Sequence, residues 1–353
     1  MTTRTRYFVI VSLLVLGVGL SSGLVAYYVG FPARAIGRLG GPEELQLVPR
    51  DAAVIAFANV HEIMTSELRQ KLHHALPIPQ DGQQELQNQT GINLETDVDR
   101  VVACARPDGG SNVAGAGMVL ARGRFDEVKI EALMREHGAH VEDYSGKRLI
   151  VGDANKGVYV GDLHTHAGTF ALSFIEPGLA AFGSTAMIKS AVDLHRAGNN
   201  PQTGLQSVIG NDELMNLVRS MDDGNAWAVG RFDALRANAR LPENVASQIP
   251  AITWFAINSH INGGIRGVLR AEARDEEAAN NLRDVVRGFL ALARMQSGSK
   301  PQLQTMMQSL ELGGTGKTVS LSFTVPAEVF DLIDAFRNGM PKKVPQAPQP
   351  QAH

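Results

Sequence analysis

The sequence predicts an α+β protein: two ferredoxin-like repeat units of βαββαβ type with antiparallel sheets, behind one N-terminal transmembrane helix. Three observations predict it. An uncharged apolar run fills residues 7–30. From Asp51 onward, period-2 strand patterns alternate with 3.6-residue helical stripes. The order of those patterns in 51–200 returns in 201–337, with little residue identity. Strand, helix, strand, strand, helix, strand is the split ferredoxin-like order. Such runs imply antiparallel sheets with helices on one face. One larger antiparallel sheet assembled from both halves is the alternative arrangement.

Residues 1–6 carry Arg4 and Arg6 and read as a cytoplasmic N-terminus. Arg34 and Arg38 follow the apolar run, so the charge asymmetry is weak. A spanning helix needs about 20 apolar residues, and residues 7–30 are long enough. A cleaved signal peptide is the rival reading. Its apolar region is normally about 7–15 residues and ends in a small-x-small site. Leu24-Val25-Ala26 fits that site poorly, so the run reads as an uncleaved anchor. Gly19 and Gly23 have the Gly-x-x-x-Gly spacing of helix dimers, which also occurs as lipid-tolerant small residues. Residues 31–50 read as a linker, and the Pro/Gln-rich tail 338–353 as disordered or extended.

Between them, "AVIAFANV" (53–60) reads as a strand, and Met64, Leu68, Leu72 and Leu76 as one helical stripe. Strands at 99–105 and 115–125 flank the turn "RPDGGSN". Asp126 caps a helix with Ile130, Leu133, Met134 and His137 on one face. "YSGKRLIV" turns into a strand. A hairpin folds around Glu176-Pro177-Gly178, and a helix then aligns Ile188, Ala191, Val192 and His195. In the second half, 225–235 echoes 53–63, and 251–261 echoes 99–107. Residues 263–292 echo the strand and helix from 115 on. That later helix carries Ala278, Leu282, Val285, Val286, Phe289 and Ala293 as its apolar face.

The 353 residues bear a net charge of −3, which argues against a nucleic-acid partner. The one cysteine, Cys104, excludes an internal disulfide and reads as a buried, inert thiol.

Several strings imitate active sites. "LELGGTGKTVSLSF" (310–323) holds Gly316-Lys317-Thr318, the end of a phosphate loop. The required glycine is replaced by Glu311, and a strand pattern (Val319, Leu321, Phe323, Val325) follows where a helix is needed. The expectation is a hairpin with its tip at Gly313–Gly316, and no nucleotide. "HEIMT" (61–65) lacks the second histidine of a zinc protease helix, because Thr65 occupies that place. Asp162, His164 and His166 alternate in "GDLHTH" and are the best metal candidates. They offer no further ligand in sequence, so the expectation is a solvated loop without metal or other cofactor. Glu95, Asp97 and Asp99 miss the glycine and glutamate of a calcium loop. "SGSK" (297–300) sits in a connector. His137 and His195 lie near helix C-termini, where an imidazolium meets the helix dipole.

"LVPRDAAVIAFANVHEI" (47–63) and "TGINLETDVDRVV" (90–102), behind a single N-terminal span, resemble an uncharacterised family of membrane-anchored bacterial periplasmic proteins. The resemblance covers residues 47–105 and implies no catalytic residues. It implies an inner-membrane, single-pass protein with its globular part in the periplasm. The expected function is a binding or scaffold protein with an unknown envelope partner or small ligand. A metal-dependent envelope hydrolase at Asp162, His164 and His166 is one alternative. A lipid or small-molecule carrier using a cleft between the repeats is another.

Overall fold

A computed structural model gives the fold. It describes residues 41–75, 87, 91–106, 117–153, 169–198, 206–221, 224–232, 251–296 and 301–330. The anchor (7–30) and the tail (338–353) lie outside the described residues, among which no helix is long and apolar enough to cross a membrane.

The described part begins with a 3-10 turn, Glu43–Leu47. β1 (Val54–Asn59) is followed by α1 (Val60–Met64), α2 (Glu67–Ala75), α3 (Leu94–Asp97) and β2 (Val98–Ala105). Then come β3 (Gly117–Gly123), α4 (Glu127–Glu136), β4 (His140–Tyr144), β5 (Lys147–Asp153), β6 (Thr169–Glu176), β7 (Leu179–Ser184) and α5 (Thr185–Ala197). The second half holds α6 (Asp212–Arg219), β8 (Ala226–Arg231), β9 (Ile252–Ile261), β10 (Gly264–Ala273) and α7 (Glu276–Gln296). It closes with α8 (Pro301–Gln308), β11 (Glu311–Gly313) and β12 (Thr318–Pro326).

These strands form one twelve-stranded sheet in the order β11-β12-β10-β9-β8-β1-β2-β3-β7-β6-β5-β4. The α+β class stands, but the ferredoxin-like topology does not. A split βαβ unit runs its two helix-linked strands parallel with another strand between them, whereas β1 and β2 here are direct antiparallel neighbours. The reason is local: Asn59, where β1 ends, lies opposite Arg100 near the start of β2. The connection therefore begins and ends at the same end of the sheet and does not cross it. The halves join where β1 pairs with β8, Ala56 opposite Ala228.

Helices cover both faces rather than one. On the first face, Ile55, Phe57, Val102 and Leu120 pack under Ile188 and Val192 of α5 and Leu214 of α6. Phe57 stacks on Trp227 with ring centroids 5.5 Å apart. On the second face, Ile130 of α4 packs on Ile150 and Leu172. Met306 and Met307 of α8 pack on Phe323 and Val325.

Local chemistry sets the element ends. Asp126 accepts from Lys129 N–H at 3.0 Å, and Asp275 accepts from Ala278 N–H at 2.8 Å, each capping the helix that follows. The stripe expected to form one helix from Met64 breaks at Thr65-Ser66. There the Ser66 hydroxyl bonds to the Ile63 carbonyl at 2.5 Å and accepts from Arg69 N–H at 3.1 Å. β4, not foreseen, pairs with β5 through Ser145-Gly146, whose φ angles of 51° and 77° make the tight turn that matches strand twist.

Asn225 closes the far end of β8. Its amide donates to the Ile261 carbonyl at 2.7 Å and accepts from the Ile261 N–H at 2.8 Å, at 2% exposure. Asn225→Ala is expected to orphan both Ile261 groups at roughly 1–3 kcal/mol each. Urea unfolding that matches the parent would contradict this.

Candidate functional site

Glu44 projects from the 3-10 turn onto the first face and is 1% exposed. Arg100 and Arg122 stand directly opposite each other on β2 and β3. Both donate to Glu44 Oε1 through Nε, at 2.9 and 2.6 Å. Arg100 also donates to Glu43 at 2.5 Å, and Arg122 to Glu176 at 2.9 Å. His195 Nε2 of α5 lies 3.6 Å from Glu176. The hydrogen bond from Arg122 holds the Glu176 carboxyl below its ordinary value. Burial works against the Arg122 charge, but its bonds to Glu44 and Glu176 lift its pKa above the usual arginine value.

This cluster is saturated. Each carboxylate in it accepts from a guanidinium, an arrangement that holds segments together and offers no nucleophile paired with a base. Cys104 is likewise inert: burial pushes its thiol up to about 12.

The phosphate-loop imitation is a hairpin. Leu312 pairs with Leu321 and Gly313 with Ser320. Gly314 and Gly316 take the turn at φ 93° and 57°, and Thr318 starts β12. Arg283 of α7 donates to the carbonyls of Gly316 and Thr318 at 2.8 and 2.9 Å, so the tip turns oxygens, not amides, toward its neighbour. His61 sits inside the short α1, whose N-cap is Asn59. Asp97 does not join a calcium loop; its carboxylate accepts from Asn93 N–H at 2.8 Å. His137 caps α4, with Nδ1 2.9 Å from the Leu133 carbonyl. Asp162, His164 and His166 lie outside the described residues, as does "SGSK". Among the described residues no group of three potential ligands gathers.

The open surface is elsewhere. Past β8 the first face turns polar. Beside Trp254 and Val268 it carries Asn258 and His260 on β9, Arg266 and Arg270 on β10, and Ser320, Ser322 and Thr324 on β12. Arg270 donates to the Ser220 carbonyl at the C-terminal end of α6 at 3.0 Å, a cation at a helix C-terminus. Ser220, Met221, Ala256, Asn258, Val268 and Arg270 line a shallow dimple there. Ligand pockets commonly run about 300–1,000 Å³, and this dimple holds little more than a water-sized space. Sequence reading missed this face because its residues come from three strands. The alternation Ser320, Ser322, Thr324 was its one visible trace.

No protein-family model matches the chain, and no curated protein matches it. Among solved structures it is similar to one described as "Structure of crystal form I of TP0453", at 9% identity and a TM-score of 0.40. The match covers 82% of this chain and 96% of that one.

Glu44→Ala is expected to leave two arginines face to face in the core, at about 3–5 kcal/mol. Denaturant titration of the variant measures it, and an unchanged midpoint would refute the role given to the cluster. Glu176 sets a pH dependence. Its folded pKa lies below the ordinary 4.5, so its contribution is present above that value and is lost as pH falls through the folded pKa. Glu176→Gln should therefore narrow the stability gap between pH 6 and mildly acidic solution; equal slopes for parent and variant would argue otherwise.

Proposed function

We propose a membrane-anchored periplasmic binding or scaffold protein without a catalytic site, which meets its partner on the open polar face of β9, β10 and β12. The observation that carries this reading is the change of one sheet face from apolar to polar. On β3 and β7 that face carries Met118, Leu120 and Ala181, all buried. On β10 and β12 it carries Arg270, Ser320 and Ser322, which are half-buried. Among the described residues no continuous apolar layer packs on this part of the sheet, and such a solvated face suits recognition. The anchored, periplasmic setting rests on the apolar run 7–30 and the family resemblance.

The same reading includes two related halves. Each runs as a three-strand meander, an Asp-capped helix and a closing hairpin, and in each the last strand returns beside the third. Among the described residues the β4–β5 hairpin has no counterpart. On this view the second half kept the scaffold and exchanged the apolar layer for hydroxyls and arginines.

Fractionation of the full-length chain tests the anchor. It should pellet with membranes, resist alkaline extraction, dissolve in detergent and become protease-sensitive once the outer membrane is opened. A soluble chain lacking about its first 26 residues would sink the anchored part. A photo-reactive residue at Ser322 should give adducts in cells that one at Val128 on α4 does not. Adducts from Val128 alone would move the binding face.

A further inference from the structure

α7 has two apolar stripes. Ala278, Ala279 and Leu282 pack with Ala273 and Val319 of the sheet, and Ala293 packs with the core cluster that holds Met306 and Met307 of α8. The second stripe runs along the outer flank. Phe289, expected on the buried stripe, is 45% exposed, with Leu292 at 44% and Met295 at 82%. Val285 is half-buried and Gly288 is exposed. A Cβ added at Gly288 would meet no atom within 4 Å, so the flank has an open hollow there.

Val285, Gly288, Leu292 and Met295 follow one another at steps of three, four and three. That is the spacing of a coiled-coil seam, whose knobs enter holes on a facing helix. This seam is complementary to itself in one orientation. In an antiparallel pair Leu292 of each copy sits over the Gly288 hollow of the other, and Met295 meets Val285. A parallel pair would stack Leu292 on Leu292 and leave Gly288 against Gly288, an unfilled gap. Charge favours the same orientation. Asp284 lies beside the seam at 71% exposure and binds Arg287 of its own helix at 2.8 Å. Antiparallel pairing brings it to within about 3 Å, along the axis, of the level of Arg294 in the other copy, at about 1.5 Å per residue. Parallel pairing would set Asp284 against Asp284 and Arg294 against Arg294. Helix dipoles also oppose one another in the antiparallel pair.

We propose that this flank of α7 is a self-association surface, which pairs antiparallel with the same flank of a second copy about a two-fold axis at the level of Leu290. Such a contact is isologous: each copy gives the same residues and receives them. A four-residue seam is small beside the roughly 1,200 Å² at which stable interfaces begin, so the pair is weak in dilute solution. α7 packs on Val319, and Ser320 and Ser322 alternate with Val319 and Leu321 along β12. Pairing through α7 therefore leaves the polar face open in both copies. On the function proposed above, the pair would present two such faces to one partner.

Sedimentation of the full-length chain in detergent, at tens of micromolar, tests the surface. Leu292→Glu should weaken association about tenfold or more. Gly288→Gln fills the hollow and should weaken it as much, yet raise the thermal midpoint, because glycine is a poor helix former. That opposite pair of readings separates lost pairing from lost folding. Equal association of parent and both variants would overturn the proposal, as would a parent that is monomeric throughout. Oxidation tests the orientation, since Cys104 is buried and stays out of the reaction. Val285→Cys chains mixed with differently tagged Met295→Cys chains should give the mixed disulfide several-fold over either like pair. Like pairs in excess, or no disulfide, would overturn the antiparallel seam. Lipid adducts in place of chain–chain adducts from a photo-reactive residue at Leu292 would assign the flank to the bilayer instead. None of these readings depends on Ser322, so failure here leaves the polar face to its own test.

Discussion

Two arginines facing each other across neighbouring strands are the constraint around which the first half is built. Arg100 and Arg122 are a directly opposed cross-strand pair, and like charges so placed repel. At 8% exposure, Arg100 cannot turn to water. An anion must sit between them, and Glu44 is that anion. A buried carboxylate without partners would itself be costly, so the three groups make sense only together. The consequence reaches beyond charge. With Glu44 fixed, Leu45, Leu47 and Val48 enter the core. Val48 then accepts from Val208 N–H at 2.8 Å, and Arg50 N–H donates to Gln206 at 3.1 Å. The segment before β1 thus tapes the entry of the second half onto the first.

That tape lets one sheet span both halves. The β1–β8 pairing places small residues at the join, Ala56, Ala58, Ala226 and Ala228, beside the large Phe57–Trp227 stack on the other face. One side of the join is thick with core and the other shallow. Among the described residues the layer of α5 and α6 reaches only as far as the Ser220–Arg270 contact past β8, and there the inward-type residues of β10 and β12 give way to Ser, Thr and Arg.

Much of this was legible locally. Asp126 as a cap, the turn at Glu176-Pro177-Gly178 and Thr318 as a strand start depend on neighbours within a few residues, and each is found as expected. The ferredoxin-like order failed because sheet order is a long-range property. The same strands and helices in sequence serve either a crossover or a meander, and only pairing such as Asn59 with Arg100 decides. Glu44 was hidden for a related reason. Its stretch has no periodicity and reads as linker, while its partners lie 56 and 78 residues away. The open face was half legible, since the hydroxyl alternation of β12 is in the sequence but its alignment with Arg266 and Arg270 is not.

The edges of the sheet bear on the proposed binding face. An edge strand with free amides invites another strand. β11 is only three residues long. Beyond it the Ser309 hydroxyl accepts from Thr324 N–H at 2.9 Å and lies 2.9 Å from the Thr324 carbonyl, filling the place of a strand. At the other edge β4 carries His140, Glu142 and Asp143, and Lys189 of α5 binds Glu142 at 3.3 Å while Tyr144 donates to Asp193 at 2.8 Å. Charge and short length guard both edges against strand addition. On the proposed reading, recognition would rest on side chains of a face, the hydroxyl and guanidinium surface of β10 and β12, rather than on backbone pairing.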